Sequence, residues 1–306
     1  MSNVRRLSTP SPTAALLAIG LIATPISPQL TQQFDQCAGG GDTTPAMRID
    51  ACDALITSNA LDPINLAAAY DNRGNAYAAE HDFDHAIADY EQATKLNPDD
   101  ATAFTNLGLA YAGNGAYDRA VDAYDHALTL RPNDVLTLDS RGLAYAKLKQ
   151  FDHAIADYNA ALKHAPSAAI VFDRGNAYAG QGQYDQAIAD YDAALKLEPN
   201  SATVLNNRGL AHAAKGQYDD AIADYDAALK LEPNSAFAFN NRGLALAQQG
   251  HDDRAIADYN RAIKINPGYA AAYYNRGLAR QRDGDGKAGA ADIAKAEQID
   301  PGIASR

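Results

Sequence analysis

The stretch at residues 202–235, ATVLNNRGLAHAAKGQYDDAIADYDAALKLEPNS, is one copy of a unit that recurs along most of the 306-residue chain. Each copy carries a marker glycine followed twenty-four residues later by a proline. The marker glycines are Gly74, Gly108, Gly142, Gly175, Gly209, Gly243 and Gly277. Successive markers are 34 residues apart except between the third and fourth copies, where the interval is 33. Self-similarity at this period predicts a stack of repeated units in place of a single globular core.

Each unit is predicted to be a hairpin of two helices. An apolar face with helical spacing leads up to Gly216, which is expected to end the first helix. Asp219 is expected to be the N-cap of the second helix, and Pro233 ends that helix. The small residues Gly209 and Ala221 are expected to let the two backbones approach closely, while tyrosines fill the space between neighbouring hairpins.

These positions resemble the tetratricopeptide repeat (TPR), whose pattern places glycine, tyrosine, alanine, an aromatic residue and proline at fixed offsets. The second-helix aromatic residue is tyrosine in six copies and is replaced by Ile293 in the last. The resemblance implies an all-α, right-handed superhelical solenoid of seven helix-turn-helix units, with a disulfide-pinned N-terminal capping helix. The predicted repeats are 67–100, 101–134, 135–167, 168–201, 202–235, 236–269 and 270–303.

The segment 1–27 is predicted to be a cleaved signal peptide. Arg5 and Arg6 precede an uncharged apolar run from Ala14 to Ala23, which is the order expected of an n-region and an h-region. The run is too short to span a bilayer comfortably. We therefore expect a periplasmic or secreted protein with no integral membrane segment after signal removal. The alternative is a disordered cytoplasmic tail.

The segment 28–66 is predicted to be an N-terminal cap. Both cysteines of the chain, Cys37 and Cys52, lie there, and in an exported protein such a pair is expected to form a disulfide. Thr44 and Pro45 are typical of an N-cap and a first helical residue, and the helix that follows is expected to cover the first repeat. Two free thiols and a metal site are the alternatives, although further metal ligands are lacking nearby.

The last repeat departs from the pattern, as terminal repeats generally do. Arg280 replaces the first-helix aromatic residue, and Gly286 and Gly289 are expected to add flexibility to the second helix. Few residues follow Pro301, so the C-terminal face is expected to be partly bare and open to self-association.

The net charge and the sequence motifs limit the classes of function that are expected for the protein. The net charge of −12 argues against nucleic acid as a partner and is explained by solubility, with a basic partner as the alternative. No catalytic motif is present, so the protein is predicted not to be an enzyme and to need no cofactor. His81 and His85 are four residues apart but straddle a predicted turn, which disfavours a metal site.

An arginine precedes the marker glycine in six copies, and the same six copies carry an aspartate one residue before the second-helix aromatic position. The second copy has neither and carries Leu107 and Ala123 in their place. Joint loss of both members predicts an ion pair within each repeat, because a partly buried arginine without its carboxylate is destabilising.

Asparagines of the first helices are the candidate ligand-binding residues. An amide both donates and accepts, so a regular row of asparagines can hold the backbone of an extended chain. The candidates are Asn72, Asn75, Asn106, Asn176, Asn207, Asn241 and Asn275. The row resembles the asparagine ladder in the repeat region of O-GlcNAc transferase. The alternative is that asparagine at this position reflects repeat ancestry only.

The predicted function is a protein-interaction scaffold or adaptor that binds a peptide or protein partner in the concave groove of the solenoid. Two alternatives stay open from the sequence. One is a structural protein that forms homo-oligomers through its C-terminal face. The other is an accessory subunit of an envelope complex for polysaccharide or secretion.

Overall fold

A computed structural model describes residues 28–305, and the predicted signal peptide lies outside these residues. Secondary structure within this range is entirely helical. The odd-numbered helices are α1 (Pro28–Cys37), α3 (Pro63–Ala79), α5 (Ala101–Gly113), α7 (Val135–Lys147), α9 (Ala168–Gly180), α11 (Ala202–Ala214), α13 (Ala236–Gln248) and α15 (Ala270–Arg282). The even-numbered helices are α2 (Pro45–Thr57), α4 (Phe83–Leu96), α6 (Tyr117–Leu130), α8 (Phe151–His164), α10 (Tyr184–Leu197), α12 (Tyr218–Leu231), α14 (Asp252–Ile265) and α16 (Gly286–Ile299). A 3₁₀ turn follows at Ile303–Ser305.

The chain divides into two compact units between Leu148 and Lys149. The first unit contains α1–α7, and the second contains α8–α16 and the 3₁₀ turn. Within each unit a helix packs against its neighbours in sequence, and successive odd-numbered helices also touch, as α11 touches α9 and α13. The odd-numbered helices of one unit therefore lie side by side.

The turn inside a repeat differs in detail from the prediction. Gly216 has a φ of +75° and follows the end of α11 directly, as expected for a residue in the left-handed region. The second helix, however, begins at Tyr218 with Gln217 as its N-cap, and no side chain caps it. Asp219 was predicted to be the N-cap and instead lies in the first turn, where its charge favours the helix N-terminus.

The marker glycines make room for a tyrosine ring. A Cβ atom placed on Gly209 would lie 2.7 Å from Cε1 of Tyr225, whose side chain is buried. Such a distance is too short for real contacts, so a side chain at this position requires a shift of the ring. The tyrosine thus fills space inside its own hairpin as well as contacting Ala245 of the next one. The room that the marker glycine leaves for this ring was not predicted from the sequence.

The N-terminal cap is a helical hairpin closed by the predicted disulfide. Cys37 at the end of α1 and Cys52 on α2 are bonded, with Cα atoms 4.8 Å apart. Thr44 accepts a hydrogen bond from the Met47 amide as the N-cap of α2, as predicted. Helix α1 was not predicted. The two sulfurs and Leu55 form a buried cluster with Ala69 of the first repeat, so the hairpin covers that repeat.

The last helix, α16, lacks the large residues with which other second helices meet the next repeat. In α12 these include Tyr218 and Ile222, and the corresponding positions sixty-eight residues later are Gly286 and Ala290. Gly289 is buried, and a Cβ atom on it would lie 2.7 Å from the Gly277 carbonyl oxygen. This glycine therefore permits close packing of α15 on α16, a role that the sequence analysis did not predict.

Candidate peptide-binding face

The predicted ion pair within a repeat is present wherever both members lie in one unit. In the fifth repeat, Arg208 donates from Nε and Nη2 to the two carboxylate oxygens of Asp224, at 2.9 and 2.5 Å. The aspartate side chain is buried and the arginine is about three-quarters buried. The same two-pronged pair joins Arg73 to Asp89, Arg174 to Asp190, Arg242 to Asp258, and Arg276 to Asp292. In the third repeat, Arg141 and Asp157 belong to different units, and their pairing stays a prediction.

Each arginine also has a second partner that the sequence analysis missed. Nη1 of Arg208 donates to Asp192 of the preceding repeat at 2.5 Å, and Nη1 of Arg242 donates to Asp226 in the same way. Arg73 reaches Asp53 of the cap hairpin. In the third, fifth, sixth and seventh repeats the acceptor lies sixteen residues before the arginine, and in the fourth it lies fifteen before, so a row of Asp and Asn near that offset was available as a signal. The hydrogen bonds to the buried aspartates, together with those to these second partners, raise the pKa of Arg208 and Arg242.

The second repeat replaces this arrangement with a different donor. Leu107 stands at the arginine position, so Glu91 of the preceding repeat has no arginine opposite it. Tyr111 donates its hydroxyl proton to Glu91 instead, and Arg119 binds the same carboxylate at 2.9 Å. The arginines are therefore structural residues that join helices and repeats.

The candidate asparagines are held by hydrogen bonds to the preceding repeat. Asn207 donates from Nδ2 to Asn176 at 2.9 Å, and Asn275 donates to Asn240 at 2.9 Å. Asn241 donates to Asn206 at 3.2 Å, and in the first unit Asn106 donates to Asp71 at 3.0 Å. Each bond uses one N–H of the amide. The rows of amides on neighbouring first helices are thus fixed relative to each other.

Two of the candidates are already occupied within the protein. The Asn75 amide accepts from the Tyr90 hydroxyl at 2.9 Å and donates to Asp71, while Asn176 accepts from both Tyr191 and Asn207. Their oxygens are therefore less available to a ligand than that of Asn207. The side chain of Asn72 forms no hydrogen bond with any residue in 28–305 and is half-buried.

Leucines accompany the asparagines in the last three repeats and were not singled out from the sequence. Leu210, Leu244 and Leu278 follow Asn207, Asn241 and Asn275 by three residues, so the two rows share a side of α11, α13 and α15. We call these six residues the amide–leucine face. Leu210 and Leu244 are 45% and 37% exposed. With Asn241 they line a crevice of about 290 Å³.

The amide–leucine face is electrically neutral in a strongly acidic protein. Helices α11, α13 and α15 contain no Asp or Glu, and Arg208, Arg242 and Arg276 are engaged in the ion pairs described above. The intervening helix α12 alone carries four aspartates. The negative charge therefore lies on the second helices, and the face offers amides and apolar carbons.

One carboxylate in the first unit lies among these amides. Asp71 accepts hydrogen bonds from Asn106 and Asn75, but desolvation outweighs them and raises its pKa from 3.8 to about 6. The corresponding residues in the fifth and sixth repeats are Asn206 and Asn240, which accept the same hydrogen bond without a charge.

We expect Asp71→Asn to stabilise the protein at neutral pH. The pKa of the Asp71 carboxyl is higher in the folded state than in the unfolded state. The free energy of unfolding therefore falls as the pH rises from about 4 to about 6, and the uncharged amide of asparagine removes this fall. The free energy of unfolding of the variant relative to wild type should increase by about 2 kcal/mol between pH 4 and pH 7.5. A pKa difference of one unit is worth about 1.4 kcal/mol, and residual contact of the carboxyl with solvent reduces the total. Urea unfolding followed by circular dichroism at both pH values measures the difference. The exposed Asp99→Asn variant is the control, and an equal gain at both pH values would contradict the assignment.

Comparison with known proteins places the chain in a family. The tetratricopeptide repeat profile matches residues 140–202, 172–236, 207–270 and 240–302, which together span 140–302, and related profiles match 74–115 and 101–134. The chain is a member of the tetratricopeptide repeat family. No curated protein matches it.

Solved structures support the fold. A tetratricopeptide repeat protein from Parabacteroides merdae is 21% identical with a TM-score of 0.65, covering 76% of this chain and 93% of its own. YrrB, described as a TPR protein with an unusual peptide-binding site, is 23% identical with a TM-score of 0.51, covering 60% and 95%. MamA from Desulfovibrio magneticus is 24% identical with a TM-score of 0.54, covering 57% and 98%. Family and fold together support a protein-interaction scaffold in general.

Two further features of residues 28–305 bear on the class of protein. Among the helices of residues 28–305, none has both the length and the apolar character that crossing a membrane requires. The same residues hold no cluster of three or more His, Cys, Asp or Glu side chains suited to a metal ion.

Proposed function

We propose that the amide–leucine face binds an extended, uncharged segment of a partner protein or peptide. The observation that carries the proposal is the row of Asn207, Asn241 and Asn275, each held by a hydrogen bond to the preceding repeat. An amide held in this way uses one N–H within the protein. In Asn207 and Asn275 the carbonyl oxygen and the second N–H remain for a ligand. The Asn241 oxygen accepts from Asn240 at 3.4 Å and keeps its second lone pair, and the second N–H of Asn241 remains as well. An extended backbone presents the complementary groups.

The inter-repeat hydrogen bonds favour binding because they orient the amides in advance. A side chain that is already fixed loses little conformational entropy when a ligand arrives, and this loss otherwise opposes association by about 0.5–1.5 kcal/mol per side chain. Asn75 and Asn176 are excluded from the proposed row because their oxygens serve tyrosine hydroxyls. The ligand therefore lies along α11, α13 and α15.

The chemistry of the face selects the kind of partner. It carries no free charge, so a strongly charged segment gains no ion pair and loses hydration when it binds. The exposed leucines favour apolar side chains, since burying apolar surface is worth about 25 cal/mol per Å². The partner segment is accordingly neutral and partly apolar, and the net charge of −12 serves solubility.

The disulfide of the cap is compatible with an oxidising compartment, which supports a periplasmic or secreted scaffold. Assembly through the C-terminal end has less support. Ala290 and the exposed Glu297 of α16 stand where α12 has Ile222 and Leu229, so this end offers little apolar surface to a second copy.

Selection from a displayed library of random twelve-residue peptides tests the proposal. Wild-type protein should enrich peptides without charged residues, and the variant Asn207→Ala/Asn241→Ala/Asn275→Ala should retain at most one-tenth of their affinity. The matched control changes three exposed loop asparagines, Asn133, Asn200 and Asn234, to alanine and should bind as wild type does.

Backbone recognition has its own readout in the same experiment. Methylating alternate backbone nitrogens of an enriched peptide removes N–H groups whose hydrogen bonds the asparagine oxygens accept. The affinity of the methylated peptide should therefore be at least tenfold lower. Equal binding by wild type and the triple asparagine-to-alanine variant, with the helical circular dichroism signal and the melting temperature unchanged, would refute the site.

A further inference from the structure

The crevice between α11 and α13 is lined by apolar side chains, two amides and two tyrosines, Tyr218 and Tyr225. Leu210, Ala213, Leu244 and Ala245 contribute apolar surface, and the ring of Tyr225 lines the same space. Asn241 and Gln248 also line it, and no charged residue does. Its volume of about 290 Å³ is at the lower limit for a pocket that holds a whole small ligand, so it suits one side chain of a longer chain.

The Tyr225 hydroxyl lacks the asparagine partner that the equivalent tyrosines of the first and fourth repeats have. In the first and fourth repeats the hydroxyls of Tyr90 and Tyr191 donate to the asparagine that follows the marker glycine, at 2.9 and 2.8 Å. In the fifth repeat that residue is Leu210, which cannot accept. No hydrogen bond joins the Tyr225 hydroxyl to any other residue within 28–305.

A donor left without an acceptor inside a nearly buried side chain favours any ligand that supplies one. Burial raises the pKa of Tyr225, so the hydroxyl keeps its proton at physiological pH and acts as a donor. The apolar walls accept a hydrocarbon stem but disfavour a charge, because the lining contains no counter-ion. The amides of Asn241 and Gln248 supply acceptors for a ligand N–H.

We propose that this crevice is a specificity pocket for a glutamine side chain of the bound segment. The glutamine carbonyl oxygen accepts from the Tyr225 hydroxyl, its methylenes lie between Leu210 and Leu244, and its amide nitrogen donates to the Asn241 or Gln248 carbonyl. The inference rests on the proposed function, because it assigns one position of a peptide bound along the amide–leucine face.

Two variants isolate the hydroxyl from the packing. Tyr225→Phe keeps the ring over Gly209 and removes only the donor. Leu210→Asn copies the first and fourth repeats and gives Tyr225 an internal acceptor while leaving the tyrosine in place. Tyr259→Phe, which makes the same change in the next repeat, is the matched control.

The displayed peptide library is selected on wild type and on all three variants. Wild type and Tyr259→Phe should enrich peptides with glutamine at one fixed position. Tyr225→Phe and Leu210→Asn should enrich peptides without that preference. By fluorescence anisotropy, Tyr225→Phe should bind an enriched glutamine peptide about tenfold more weakly, and a peptide with methionine at that position less than twofold more weakly.

The outcomes separate this inference from the proposed function. Peptides enriched without a fixed glutamine, or a glutamine preference that persists in both variants, would overturn the pocket and leave the binding face intact. Failure of wild type to enrich any peptide over a blank support would overturn both.

Discussion

Replacing Arg208 by leucine should lower the free energy of unfolding by about 3–5 kcal/mol, the largest effect of any single change considered for this chain. The substitution leaves the carboxylate of Asp224 buried without its two hydrogen bonds. Asp192, which also loses a partner, is 46% exposed and regains water, so it adds little. Urea unfolding followed by circular dichroism gives the value.

The second repeat indicates which double substitution should restore the lost stability. Leu107 and Ala123 occupy the two positions there, and both side chains are buried. The double variant Arg208→Leu/Asp224→Ala should therefore recover most of the lost stability, because no buried charge remains. A double variant as unstable as the single one would show that the lost ion pair is not the cause. Arg254→Leu, which changes an exposed arginine, is the control and should have little effect.

Removing the disulfide by Cys37→Ser/Cys52→Ser should destabilise the cap hairpin by about 3 kcal/mol, since the bond closes a loop of fifteen residues. Helices α1 and α2, of ten and thirteen residues, are too short to persist alone. Amide hydrogen exchange in residues 31–57 should accelerate at least tenfold, and exchange in α11–α14 should stay unchanged.

Reductant provides the control for the disulfide. Dithiothreitol should accelerate exchange of the cap in wild type to the rate of the serine variant and should leave the serine variant unaffected. Unchanged exchange of the cap after reduction would mean that packing of Leu55 and Ala69 holds the hairpin without the bond.

The sequence predicted the repeat fold well because each hairpin repeats the same local rules. The marker glycine, the later proline and the helical spacing between them recur seven times. A departure from the pattern in one copy therefore does not obscure the repeat. The paired loss of arginine and aspartate in the second copy predicted their contact. Helix α1 was missed because it lies outside the repeat period.

The candidate site was predicted in part. The asparagine row was visible as a regular spacing, but the sequence did not distinguish amides that bind tyrosine hydroxyls from amides that remain open. That distinction depends on the residue after the marker glycine. This residue is Asn75 in the first repeat and Leu210 in the fifth. In the structure, Asn75 accepts a hydrogen bond from the Tyr90 hydroxyl, whereas Leu210 offers no acceptor to Tyr225.

Arginines that reach both their own repeat and the one before it, as Arg208 and Arg242 do, make these junctions chemically alike. A gene segment encoding one unit, if duplicated or deleted in register, therefore yields a chain whose new junction already has donor and acceptor in place. Residues 183–202 and 217–236 differ only at Gln186 and Asp220, as expected of a recent duplication. The number of units can therefore change while the chemistry of such junctions stays the same.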